Sequence, residues 1–129
     1  MGRLRVDRLA ARACRLVDER GEVRFGRCHV ARGVVARTVG LLGTAGLEPD
    51  EAVWIEPCAS VHTLGMRFPL AVAFVAADGR VLRVVDPLPP WRAASARGAR
   101  AVVEAAAGAF TGRVPERLVL DVPAAEIPH

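Results

Sequence analysis

LAVAFVAADGRVLRVVD, residues 70–86, decides the fold. Two apolar runs flank Asp78-Gly79, and Asp-Gly tolerates the positive φ angles of a type I′ turn, whose twist matches that of a hairpin. With those two residues as the loop, Ala77 should face Arg80, Val75 should face Leu82 and Ala73 should face Val84. The other side of the ribbon then carries Val72, Phe74, Val81 and Val85, with the charged Arg83 among them. Both sides are largely apolar, so the hairpin should be central and covered on both faces.

Working outward, AVWIE before Pro57 reads as a short strand. Further upstream, ACRLVDERGEVRFGRCHVARG divides into Ala13–Val17, a turn at Glu19–Gly21, Val23–Phe25 and Arg27–Ala31, with Gly21, Gly26 and Gly33 as punctuation. Val35, Val39 and Leu42 recur at helical spacing and Gly43 offers a stop, although the β-branched content weakens that helix. GLLGTAG lacks the Lys-Ser/Thr of a phosphate loop, so no cofactor is expected. Downstream, PLPPW at 87–91 should be a rigid extended loop that cannot pair in a sheet. ARAVVEAA is a strand or a buried helix, which periodicity alone does not decide, and RLVLDV is a last strand. The expected class is a β-dominated α+β domain: a small compact sheet or partly closed barrel with one or two short helices. Residues 1–12 read as a flexible arm and 13–129 as a single domain.

With 129 residues, one core can stand without disulfides. Cys14, Cys28 and Cys58 are odd in number and form no CxxC, so a disulfide framework is not expected. No apolar run reaches the roughly 18–20 residues of a membrane helix, and the N-terminus has no secretory h-region. These features point to a cytoplasmic protein with reduced thiols and no membrane partner. The pI near 10.1 suggests nucleic acid. However, every basic residue is Arg, and Lys, Asn, Gln and Tyr are absent, a bias typical of GC-rich coding. The net charge is only +4. Specific nucleic-acid binding is therefore not expected, although residues 1–37 carry ten Arg and could touch phosphate or an acidic partner.

The chemistry concentrates in PCASVHTLGMRFP, residues 57–69. As a strand, it would set Cys58, Ser60 and His62 on one face, with i and i+4 about 13 Å apart, too far for a Cys58–His62 dyad. As a helix from Pro57, it would stack Cys58, His62 and Met66 at about 5–6 Å. Val61, Thr63 and Gly65 favour strand or loop. A nucleophile, Cys58 or Ser60, with His62 as base would need an acid such as Glu56, Asp86 or Glu104. A soft copper-type metal site could use Cys58, His62 and Met66, with Cys28 and His29 as further ligands. Against these stand plainer roles: Cys58 as a buried inert thiol, Met66 as core, His62 bonded to backbone, and Arg67 paired with an acid such as Glu104.

The same residues carry a resemblance. CASVHTLGMRFPLAVAFVAADGRVLRV followed by GARAVVEAAAG resembles the family known as domain of unknown function 192, whose core reads Ser-[Ile/Val]-His-Thr-x-x-Met-Arg-Phe-Pro. ARTVGLLG is similar to an upstream element of that family. The likeness runs from Ala31 to Leu120. Carried over, its motif residues are Ser60, His62, Thr63, Met66, Arg67, Phe68, Pro69 and Glu104. Ala71 stands where relatives usually have an acid. The resemblance implies a compact β-rich domain and no established activity. The leading expectation is a non-catalytic module binding an unidentified small ligand or protein at His62, Thr63, Met66 and Arg67, with Ser60 and Glu104 close by. His62 and Arg67 should converge on a water-accessible hollow beside the Asp-Gly ribbon. Trp91 should be the exposed tryptophan.

Overall fold

The protein is described by a computed structural model over residues 14–32 and 46–121. These residues form β1 (Cys14–Asp18), β2 (Val23–Arg32), β3 (Glu51–Glu56), β4 (Ser60–His62), β5 (Leu70–Val75), β6 (Val81–Leu88), β7 (Ala93–Ser95), β8 (Ala101–Ala106) and β9 (Leu118–Asp121). Seven strands make one sheet in the order β6-β5-β8-β3-β2-β1-β9, and β4 pairs with β7 in a separate ribbon. Only β2 and β3 run parallel among the paired strands.

Two cores follow from the alternation of side chains across the sheet. One face gathers Leu16, Phe25, Cys28, Trp54, Val75, Val103, Phe110 and Leu118. The other gathers Val53, Ile55, Val72, Phe74 and Val102, and the β4–β7 ribbon covers it through Val61, Met66 and Ala94. This double burial explains the apolar runs of β3, β5 and, Glu104 apart, β8, since a strand covered on both faces needs no polar alternation. Each fully buried side chain such as Phe74 or Ile55 contributes about 1.5–3 kcal/mol relative to exposure.

The sheet curls until its margins meet at the tip of the β5–β6 hairpin. Arg80 and Arg117 form a bridge, Val81 N–H donates to Glu116 O at 2.8 Å and Leu118 N–H donates to Gly79 O at 2.9 Å. The result is the partly closed barrel expected from the sequence.

Several expectations are corrected. Among the described residues there is no helix: ARAVVEAA is β8, paired on both sides by β3 and β5, and such pairing outweighs alanine's helical preference. The helical face at Val35, Val39 and Leu42 and the arm at 1–12 lie outside the described residues. The hairpin forms and Ala73 does face Val84, but Val75 faces Val81 across a register shift. Its loop has three residues: Ala76 N–H donates to Arg80 O, Gly79 N–H donates to Ala76 O, and only Gly79 takes positive φ, at 90°. That is a type I turn closed by a glycine bulge, which spares Asp78 the left-handed conformation. Only β5 is interior. β6 is a marginal strand, which is why Pro87 is tolerated inside it and why Leu88 pairs with Leu70. The prolines thus end a strand where a loop was expected. Upstream, Val23–Arg32 is one continuous strand.

Candidate functional site

The 57–69 stretch leaves β3 through a cis Glu56–Pro57 peptide and is strand and turn. Cys58 is buried. Its N–H donates to Arg100 O at 3.0 Å, and its thiol donates to Ser60 O at 3.1 Å. Along β4, Ser60 and His62 face outward and Val61 inward. Opposite them on β7 stand Ser95, Ala94 and Ala93.

Thr63 is fully buried and ties two turns together. Its hydroxyl donates to Pro89 O at 2.6 Å and accepts Arg92 N–H at 2.9 Å. Its own N–H donates to Arg92 O at 2.8 Å, and its carbonyl accepts the N–H groups of Trp91 and Met66. The two turns present their side chains outward. Trp91, at φ 63°, is 63% exposed and Leu64 49% exposed. Trp54, by contrast, is buried at 8%, so the expectation about the two tryptophans holds. His62 Nδ1 accepts Leu64 N–H at 3.3 Å. Arg67 and Arg92 are exposed.

The sequence-predicted residues therefore separate. Ser60, His62 and Arg67 lie at the surface of this layer; Thr63 and Met66 are buried beneath it. Glu104 is fully buried in the main sheet, opposite Val53 and Val72. Arg67 makes no ion pair among the described residues, so the expected alternative of a pairing with Glu104 is not formed. The Cys58 thiol and His62 engage different backbone groups, and Asp86, one of the candidate orienting acids, instead accepts the N–H groups of Gly108 and Phe110 at 2.8 and 2.7 Å. Cys58 and Met66 sit in the apolar cluster under the ribbon while His62 faces away from it. Among the described residues no group of three His, Cys, Asp or Glu side chains is placed to hold a metal ion. A hollow of about 250 Å³ beside Asp78-Gly79 is lined by Trp54, Glu56, Arg100 and Leu118, without His62 or Arg67.

A second polar pair lies within the sheet. His29 is buried and its Nε2 meets Glu51 Oε2 at 2.6 Å. Glu51 Oε1 accepts Glu48 N–H at 3.0 Å. Burial raises the Glu51 pKa, but the Glu48 N–H, His29 and Arg27 together bring it below the usual glutamate value. The ionised carboxylate then fixes the imidazole proton on Nε2. The sequence offers Cys28-His29 as a metal-ligand pair. Both residues are instead buried on opposite faces of β2, Cys28 among hydrocarbon with its thiol pushed up to about 12 by burial. No disulfide joins the three cysteines.

A family model, DUF192, described as an uncharacterized ACR, matches residues 16–114. No curated protein matches. Two solved structures share the fold. One is a protein of unknown function from Novosphingobium aromaticivorans DSM 12444, with 24% identity, 83% of each chain covered and a TM-score of 0.67. The other is described as a "putative transcription regulator" from Sinorhizobium meliloti 1021, with 21% identity, 88% of this chain and 93% of that one covered, and a TM-score of 0.69.

Proposed function

The chain belongs to the DUF192 family, and from that premise we propose that it is a non-catalytic binding module. Its site surrounds His62 and Arg67 and takes an anionic group, a carboxylate or phosphate, of a small ligand or protein. The observation that carries this reading is the buried Thr63 junction. It spends a fully buried hydroxyl and two backbone groups on fixing the end of β4 and two turns, whose exposed side chains are His62, Leu64, Trp91 and Arg92. Holding an exposed tryptophan at positive φ costs free energy, and such pre-organisation favours recognition by lowering the ordering cost of binding. Arg67 adds a guanidinium free of ion pairs among the described residues, suited to bidentate contact with an oxyanion. A Cys58 nucleophile is disfavoured because its thiol is buried and bonded to a backbone carbonyl. A reducing cytoplasm is the proposed setting, which suits three buried cysteines without a disulfide.

The test is a thermal-shift screen of small carboxylates and phosphate esters against the parent, His62→Ala and Arg67→Ala. At least one compound should raise the parent's Tm, since a ligand that binds only the native state stabilises it. Both variants should lose that shift while melting close to the parent. If both variants melt well below it and no compound protects the parent, the cluster is structural and the proposal fails.

A further inference from the structure

Acidic residues are unevenly distributed along this chain. The described arginines that form ion pairs are Arg15 with Asp121, Arg24 and Arg113 with Asp18, Arg27 with Asp50, and Arg117 with Asp78. These partners lie on β1, β2, β9 and the loops beside them, or at the hairpin tip. Arg20, Arg80 and Arg100, also exposed, form no ion pair among the described residues, and the ribbon layer gathers four more such arginines. Arg67, Arg83, Arg92 and Arg97 are all exposed, and none forms an ion pair among the described residues. Arg83 donates to Ser95 O at 2.7 Å and Arg92 to Trp91 O at 3.2 Å. Those carbonyls orient the two guanidiniums without neutralising them. Between Pro57 and Arg100 the only acids are Asp78 and Asp86, and both accept backbone N–H groups.

We infer that the β4–β7 ribbon docks an acidic protein segment, whose carboxylates meet these arginines while an apolar side chain rests on Trp91 and Leu64. This rests on the binding-module reading and names its partner. Charge complementarity selects a polyanion, because uncompensated arginines at an interface repel one another until an opposite charge arrives. The exposed Trp91 and Leu64 select one with an apolar anchor, and Trp and Arg are among the residue types enriched at protein hot spots. Single-stranded nucleic acid is the poorer fit. It is bound on several aromatic platforms in series, whereas Phe25, Phe74 and Phe110 are buried and Trp91 stands alone among the described exposed aromatics. The ribbon's pairing length of three residues, Ser60–His62 against Ala93–Ser95, suits a short extended segment at about 3.4 Å per residue.

The experiment titrates the full chain with a synthetic hexapeptide, leucine and phenylalanine flanked by two glutamates at each end, and follows tryptophan emission. The controls are the same peptide with lysine for glutamate, an oligothymidylate of equal charge, and phosphatidylserine vesicles. The acidic peptide should shift the emission of Trp91 to the blue. Its Kd should weaken about tenfold or more between about 50 and 300 mM salt. Arg92→Ala/Arg97→Ala should weaken it at least about tenfold with an unchanged melting temperature. If the oligonucleotide or the vesicles bind and the acidic peptide does not, the partner class is wrong while an anion-binding face stands. If free glutarate binds as tightly as the peptide and Arg92→Ala/Arg97→Ala changes nothing, the docking inference falls and the small-ligand form of the His62–Arg67 site survives. If no anion of any kind binds, both fall together.

Discussion

At the scale of single residues, Thr63 and His62 show how neighbours in one motif take opposite duties. Thr63 is consumed by Pro89 and Arg92, while His62 faces solvent one position earlier. Thr63→Val keeps the shape but strips Pro89 O and Arg92 N–H of a buried partner. It should destabilise by about 1–3 kcal/mol, read as a lowered midpoint in urea at unchanged m, whereas Thr63→Ser should cost much less. A polar cluster at 57–69 was legible, because the chain is otherwise poor in uncharged polar side chains. The division of labour within it was not. It depends on main-chain groups 26 and 29 residues away, and no local pattern announces where a distant carbonyl will come to rest. The His29–Glu51 pair was equally hidden, since a histidine next to a cysteine looks like a ligand until both faces of its strand prove to be covered.

At the scale of elements, the Asp78-Gly79 hairpin was the readable feature, and its error is instructive. Asp-Gly served either a two-residue or a three-residue loop, and the second keeps Asp78 at negative φ. Gly79 bears the consequence. At φ +90°, an added Cβ would stand 3.1 Å from Val119 Cγ2 and 3.3 Å from Leu118 O. Gly79→Ala should therefore destabilise by about 1–3 kcal/mol and speed hydrogen exchange at Leu118 N–H, which closes the margins of the sheet. Gly21, also at positive φ but with open space around it, should show the backbone strain alone and leave Leu118 exchange unchanged. β8 was ambiguous for a physical reason: alanine and valine pull in opposite directions, and two flanking strands decide the matter. They could not be seen in a window of eight residues.

At the scale of the whole molecule, the β-rich class was visible in the density of short apolar runs, but the parallel β2–β3 pair and the separate ribbon were not, because long-range order has no sequence period. Acid stability is a global property that the structure makes explicit. Arg113 clasps Asp18 and Glu19, joining the β1–β2 turn to the approach to β9. The Glu19 pKa is brought to about 2 by its own backbone N–H first, then by Arg113 and the N–H groups of Glu116 and Arg117, against the opposing effect of burial. A depressed carboxylate stabilises the fold above its unfolded value of 4.5, and that contribution fades as pH falls through this value towards 2. The melting temperature should decline across that window, and Arg113→Gln should flatten the decline, which scanning calorimetry at stepped pH would show. The curled sheet carries one last implication. A strand at the rim of an open sheet invites strangers to continue the ladder and seed fibrils. Here β6 has its tip already engaged by the approach to β9, its far end broken by Pro87 and its middle guarded by Arg83, so little of that rim is left for a second chain to template upon.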